Sequence, residues 1–295
     1  MIKCRNLVKT YGSNKILNNL SFTIEGNKIT GIIGRNGVGK TTLLNIIAGH
    51  IKETSGDINV FSEKPFNSLT VSANTIFVDE NMTFPKTIPL GEVFDWGKRF
   101  YPNWNHSLSN RLLDYFSFNS KQYHHQLSKG KTSTFNLIFG LASRCPLTIL
   151  DEPMTGMDES VRKDMYQVMV KDFIAFPRTI LISSHHLDEI DNLIEDVLLL
   201  KKGQVLLHQP ISELTEWAGG IKGPSEKVKE FLSGKEILFE KELGKNTLYA
   251  VVKNNQTLQL NLDSSLEISS VKTSDLCVYL TNETKGGIDD VFSNN

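Results

Sequence analysis

GIIGRNGVGKTT, residues 31–42, decides how the rest of this chain is read. An apolar run of strand length, Lys28–Ile33, leads into Gly34-x-x-Gly37-x-Gly39-Lys40-Thr41, and Thr41–Ala48 then places Leu43, Leu44, Ile46 and Ile47 on one helical face. A glycine-rich loop between a strand and a helix turns successive backbone N–H groups toward one point, and the helix N-terminus adds partial positive charge, so the stretch predicts a phosphate cradle. Lys40 would reach the β- and γ-phosphates of a nucleoside triphosphate as a point charge, and Thr41 would offer its hydroxyl to Mg²⁺.

A second stretch complements the first. LTILDEP, residues 147–153, is an apolar strand ending in Asp151 and Glu152, 111 positions after Lys40. In a parallel sheet this delivers both carboxylates to the edge where the phosphate loop lies. Asp151 would hold Mg²⁺ through water, and Glu152 would act as general base on an attacking water. Thr75–Val78 and Thr179–Ser183 read as further buried strands, the second following a helix as LTILDEP does, and this alternation predicts a mostly parallel α/β sheet. Val197–Leu200 and Gln204–Leu207, joined by Lys201-Lys202-Gly203, read as a hairpin.

Outside this frame the composition shifts twice. Phe84 to about Gln126 carries Pro85, Pro89, Pro102, Trp96 and Trp104 among helix-compatible residues, which predicts a mainly helical insertion. Around Trp217-Ala218-Gly219-Gly220 the strand–helix rhythm stops. Beyond it, Ser225–Leu232 reads as a helix, Ile237–Leu243 and Thr247–Val252 as strands, Leu258–Val271 as one or two more, and Lys285–Asn295 as a loose polar tail. The expected organisation is therefore a domain over residues 1–215, with a helical subdomain at about 81–145, and a small α+β accessory domain over 216–295.

Bulk properties exclude several classes. No run of 18 apolar residues is present, so a membrane-spanning helix is not expected. The 32 basic and 33 acidic residues nearly cancel and are interspersed, which argues against nucleic acid as the partner. Cys4, Cys145 and Cys277 are odd in number and far apart, and the start MIKCRNLVKT lacks an export signal, so a cytoplasmic protein without a disulfide framework is expected.

Taken together the motifs resemble the ATP-binding subunit of a bacterial ABC transporter, over about Met1 to Pro210. Asp151-Glu152-Pro153-Met154-Thr155-Gly156-Met157-Asp158 is similar to the family's Walker B strand end and D-loop, and Ser183-Ser184-His185 to its switch histidine. The resemblance implies a P-loop NTPase fold with an ABC-type helical subdomain and an antiparallel β subdomain. It also implies ATP and Mg²⁺ as cofactors, catalytic roles for Lys40, Glu152 and His185, and nucleotide contacts from Gly34, Asn36, Gly37, Gly39, Lys40, Thr41 and Thr42. Tyr11, 23 residues before Gly34, matches the aromatic residue that stacks on adenine.

The same resemblance explains HQLSKGKTST, residues 125–134, which otherwise reads as a polar linker before a capped helix. Leu127-Ser128-Lys129-Gly130-Lys131 stands where the family has Leu-Ser-Gly-Gly-Gln, the signature that binds the ATP held by a second subunit through Ser128, Gly130 and the helix N-terminus. Each chain then carries two half-sites, and hydrolysis requires a head-to-tail homodimer or heterodimer. Lys129 and Lys131 depart from the common signature and add positive charge where the partner's γ-phosphate would arrive. Glu80, a candidate Mg²⁺ ligand, stands where the family usually has the Q-loop glutamine.

Arg99-Phe100-Tyr101-Pro102-Asn103-Trp104-Asn105, with Leu112, Leu113, Phe116 and the Ser-Lys-Gly signature, resembles the small Gram-positive YtrB-like type. That likeness implies separate transmembrane permease subunits, a peripheral position on the inner face of the cell membrane, and export. The aromatic residues of that stretch can equally form the insertion's own core. Two other readings stay open: a regulatory, weakly catalytic ABC subunit that needs a second ATPase, and a soluble ABC ATPase acting on DNA or the ribosome.

Overall fold

A computed structural model describes residues 1–185, 187–244, 246–253 and 265–282. Two compact units divide the chain: Met1–His185 with Asn192–His208, and His186–Asp191 with Gln209–Asn295.

The first unit opens with β1 (Ile2–Tyr11), β2 (Asn14–Ile24) and β3 (Ile29–Ile33), then α1 (Lys40–Ile47), β4 (Ser55–Val60), α2 (Leu69–Asn74) and β5 (Thr75–Val78). Three helices follow, α3 (Leu90–Phe100), α4 (His106–Tyr115) and α5 (Lys129–Ser143), and then β6 (Leu147–Asp151), α6 (Glu159–Ala175), β7 (Thr179–Ser184), β8 (Asp196–Lys201) and β9 (Gln204–Pro210). Six strands form one sheet in the order β5-β6-β7-β3-β8-β9, with parallel pairing from β5 through β8. The turn between β8 and β9 is Lys202-Gly203, both at positive φ, 50° and 69°, as a two-residue hairpin of type I′ requires.

A separate antiparallel sheet, β2-β1-β4, covers α1 from the other side. Leu43, Leu44, Ile46 and Ile47 of α1 lie fully buried between Ile2, Leu7 and Leu20 of this sheet and Leu147, Ile149 and Leu181 of the six-stranded one. Each such side chain contributes about 1.5–3 kcal/mol of burial, so this layer fixes the start of α1 against both sheets. β1 and β4 are not among the strands expected from the sequence.

The insertion is helical, as its composition predicts, and is held by aromatic rings. Phe94 stacks on Phe135 at 5.0 Å, and Trp104 meets Phe139 edge-on at 5.0 Å. Tyr101 and Trp104 belong to this core, but Phe100 is 74% exposed and Phe116 packs on Tyr115 at its margin.

The second unit comprises α7 (Ile211–Trp217), β10 (Ala218–Pro224), α8 (Ser225–Leu232), β11 (Ile237–Glu242), β12 (Thr247–Lys253), β13 (Glu267–Ser270) and α9 (Thr273–Thr281). Its antiparallel sheet has the order β11-β12-β10-β13, so β10-α8-β11 is a crossover with β12 inserted between its two strands. Ile221, Leu248, Ala250 and Val252 of the sheet pack on Val228 and Leu232 of α8. The Ala218-Gly219-Gly220 run, where the sequence pattern breaks, is the start of a central strand. A Cβ on Gly220 would lie 2.7 Å from both Ser269 Oγ and Tyr249 Oη, so any side chain here would displace one or both of these groups. Within the expected Leu258–Val271 strands, residues 258–264 lie outside the described residues, as does the expected tail Lys285–Asn295.

Candidate active site

β3 ends at Ile33 and α1 begins at Lys40, so the six residues between them make one tight loop. Gly37 and Gly39 adopt φ of 80° and 108°, conformations that glycine reaches without penalty. Gly39 also has no room for a side chain, since a Cβ would lie 2.6 Å from Leu17 Cδ2, and one on Gly34 would lie 2.8 Å from the Leu200 carbonyl oxygen. α1 starts without a side-chain cap and without an acidic residue in its first turn. Its first N–H groups are therefore not capped by an acid of the helix itself, an arrangement suited to phosphate. Lys40 is only 6% exposed and donates from Nζ to the Gly34 carbonyl at 2.7 Å, folding back over the loop. Asn36 and Thr41 are exposed, and Thr42 is half-buried in the first turn of α1.

The second half of the site comes from two neighbouring strands. β6 and β7 run parallel with Asp151 opposite Ser183. The Ser183 hydroxyl donates to Asp151 Oδ1, and its oxygen accepts the Glu152 backbone N–H at 2.9 Å. Glu152 takes a left-handed φ of 48°, unusual for a non-glycine residue, which turns the chain sharply after the strand. Its carboxylate is thereby shared: Oε1 is 3.4 Å from Lys40 Nζ, and Oε2 accepts from His185 Nδ1 at 2.9 Å. A hydrogen bond to a carboxylate places the proton on Nδ1, so Nε2 is the acceptor of the neutral ring. The sequence reading does not single out Ser183; its only signal there is a small hydroxyl residue in the strand next to the one that carries Asp151.

These elements open on a cavity of about 270 Å³. Asn36 and Thr41 line it from the loop and α1, Asp151, Glu152, Thr155 and His185 from the ends of β6 and β7, and Asp79, Glu80 and Asn81 from the segment after β5. It lies at the carboxyl edge of the parallel strands, where such sheets hold their ligands. Four carboxylates converge on it. Among the described residues no group of three or more His, Cys, Asp or Glu is placed as a ready metal cage. The donor set does fit Mg²⁺, which takes hard oxygen ligands, is held by one or two carboxylates, and relies on phosphates and water for the rest. Thr41, Asp151 and Glu80 are such donors on one wall set.

Tyr11 ends β1, half-exposed, with the Lys9 ammonium 4.9 Å from its ring centre, and is not part of the cavity wall. Ser128 and Gly130 do not line the cavity either. Ser128 caps α5, accepting the Lys131 N–H at 3.4 Å. Gly130 presses on the segment after β6, where a Cβ would fall 2.4 Å from the Gly156 carbonyl oxygen, and Ser133 donates to the Thr155 carbonyl at 2.8 Å. The start of α5 is thus fixed to residues 155–157.

The two signature lysines are engaged by their own chain. Lys129 Nζ is 3.5 Å from Glu80 Oε2. Lys131 Nζ donates to the Ser117 carbonyl at 3.4 Å and sits 5.5 Å from the Phe118 ring centre. Behind them, buried Asn136 donates to the Met82 carbonyl at 3.0 Å and accepts from His124 Nε2 at 2.8 Å, tying the segment after β5 to α5. Burial pushes the His124 pKa below its ordinary value, opposed in part by the Asn136 bond.

Comparisons with known proteins find similar chains. A family model described as ABC transporter matches residues 17–155. The ABC transporter ATP-binding protein YtrB of Bacillus subtilis is 31% identical over 216 residues, covering 73% of this chain and 74% of that protein. The tungstate uptake system ATP-binding protein TupC of Peptoclostridium acidaminophilum is 30% identical, covering 69% and 96%. Among solved structures, the dimeric post-hydrolysis state of the ATP-binding cassette MJ0796 bound to ADP and Pi superposes with a TM-score of 0.61 at 21% identity, over 72% of this chain and 99% of that one.

Proposed function

The chain belongs to the ABC transporter family of ATP-binding subunits, which are ATPases, and from that premise we propose that it powers transport by ATP-driven closure of a dimer coupled to separate membrane subunits. The observation that carries this reading is the shared carboxylate of Glu152, held between Lys40 and His185 at the mouth of the phosphate loop.

Each residue has a role that follows from its position. The N–H groups of residues 37–41 and the Lys40 ammonium bind the phosphates of ATP. Lys40 is already desolvated and oriented, so little reorganisation accompanies binding. Glu152 accepts a proton from water attacking the γ-phosphate, and His185 holds the Glu152 carboxylate through Nδ1. Ser183 orients Asp151 and fixes the backbone of Glu152 at once. Mg²⁺, when bound by Thr41 and Asp151 with Glu80 alongside, would supply neutralisation of the phosphate charge.

Ser128 and Gly130 of the signature do not line the cavity of their own chain, and a second subunit would bring its Ser128 and Gly130 to this nucleotide. The dimeric cassette with ADP and Pi supports that arrangement. Among the described residues no helix is long and apolar enough to cross a membrane. In this reading separate permease subunits, which the YtrB-like resemblance implies, form the membrane path, with this chain against the inner face of the membrane. The likeness to the YtrB-like type favours export, and the motor chemistry is the same in either direction.

Mg²⁺-dependent phosphate release over a range of protein concentrations tests the reading, beside a Glu152→Gln variant analysed by size-exclusion chromatography. Specific activity rising with concentration, and a dimer of the variant that forms only with ATP, are the expected results. ATP binding with neither turnover nor dimer would show that this chain cannot complete a site with its own copy, and would favour a subunit that needs a second ATPase.

A further inference from the structure

Two of the three positions at which the chain departs from the common family pattern, Glu80 and Lys129, meet each other. Their charged ends are 3.5 Å apart, although 49 positions separate them in the chain, and Glu80 is also a wall residue of the cavity. Isolated exposed ion pairs are usually worth little because two long side chains must be immobilised. Here both backbones are anchored: Asn136 holds the segment after β5 to α5, and Gly130 and Ser133 hold the start of α5 to residues 155–157.

A second observation concerns the helix itself. α5 has Lys129 and Lys131 in its first turn and no acidic residue there, the reverse of what a helix dipole favours. Lys131 is answered by the Ser117 carbonyl and Lys129 by Glu80, so the acid missing from the first turn arrives from another segment. The cavity, meanwhile, gathers Asp79, Glu80, Asp151 and Glu152. Lys40 stands beside Glu152, and Lys129 beside Glu80, so an anionic ligand meets these two carboxylates already paired.

We propose that Lys129 is a positioning residue for the cleft of its own chain: its ammonium holds and neutralises Glu80, so that a nucleotide phosphate enters past a compensated carboxylate. This rests on the reading of the cavity as a nucleotide site. It assigns Lys129 a role within one subunit, distinct from any contact of the signature with a partner's nucleotide. It also accounts for the two departures together, since a neutral glutamine at position 80 would need no such partner.

The test is a double-mutant cycle on nucleotide binding, with no turnover required. Titration calorimetry of MgADP into dilute protein is carried out for the natural chain, Lys129→Gln, Glu80→Gln and the double variant, with thermal melts to confirm that each folds. Lys129→Gln alone is expected to weaken MgADP binding about two- to fivefold. The same change made in the Glu80→Gln background is expected to have no effect, and the loss should fade in about 0.5 M KCl. The charge-swapped pair, Glu80→Lys with Lys129→Glu, should bind more tightly than Lys129→Glu alone. Equal effects of Lys129→Gln in both backgrounds, or none in either, would overturn the proposal while leaving the nucleotide site standing. Failure of the natural chain to bind MgADP would overturn the nucleotide reading itself, and the proposal with it.

Discussion

Lys40 Nζ lies 3.4 Å from Glu152 Oε1. The two residues nevertheless serve different steps, and substitution should separate them. Lys40 is nearly buried and points into the loop that would hold phosphate, so Lys40→Ala removes a charge-assisted contact that is worth about 1.5–3 kcal/mol and should weaken ATP binding at least tenfold. Glu152→Gln keeps the shape but offers one acceptor oxygen in place of two, and cannot accept a proton from water. Phosphate release should fall by about 10²–10⁴ while nucleotide affinity stays within a few fold of the natural chain. Equilibrium titration beside single-turnover phosphate release distinguishes the two, and a Glu152→Gln protein that lost binding and turnover together would contradict the assignment.

The residues that meet in the cavity were legible in the sequence to the extent that their chemistry is local. The loop at residues 34–39 declares itself because glycine is required there by conformation and by space, and Asp151-Glu152 because an apolar run ends on them. Strands β1 and β4 were not legible. β1 loses its alternation at shifts in register after Cys4 and after Leu7, with Asn6 at a φ of 50°, and β4 opens with Ser55-Gly56-Asp57, which reads as a turn. Gly219-Gly220 misled for the opposite reason, since the pair opens a central strand, with Ser269 and Tyr249 close to Gly220, rather than marking a break in the chain. Partnerships such as Ser183 with Asp151, Asn136 with Met82 and Lys129 with Glu80 depend on strand register and helix docking, and spacing along the chain carries no trace of them.

The frame behind the site depends on a buried charge cluster. Asp172 on α6 pairs through Oδ1 with Arg144 at 3.0 Å and lies 2.9 Å from Arg178 through Oδ2, the latter close but not aligned as a hydrogen bond. Arg178 is 2% exposed and also donates to the Leu141 carbonyl and to Thr148 Oγ1, so it joins the end of α5 to β6. Burial lowers the Arg178 pKa and Asp172 opposes that shift. Asp172→Asn leaves a guanidinium buried without its counter-ion and should cost about 3–5 kcal/mol in chemical unfolding. Replacing Asp172, Arg144 and Arg178 together by apolar residues of similar volume should recover most of that loss. A single variant as stable as the natural chain would show that water reaches Arg178 and that the cluster is not dry.

His124 makes stability depend on pH with a sign that follows from its burial. It is 5% exposed and donates through Nε2 to Asn136, and burial holds its pKa below the ordinary value of about 6.5. In that case the unfolded chain binds the extra proton first, so stability is present above about pH 6.5, declines as pH falls toward the folded-state pKa, and levels off below it. His208, also lowered by burial, adds a slope of the same sign. Each histidine can contribute at most about 1.4 kcal/mol per pH unit. Urea unfolding between about pH 8 and pH 5 should therefore show a decline on the acid side that becomes shallower in His124→Gln, which keeps a hydrogen-bond donor but cannot charge, and shallower still when His208 is replaced as well. Since His124 and Asn136 hold the segment that carries Glu80 against the signature helix, hydrogen exchange at the amides of residues 79–82 should quicken over the same acid range in the natural chain and not in His124→Gln. An unchanged slope in His124→Gln would mean that the imidazole is wet enough to titrate alike in the folded and unfolded states.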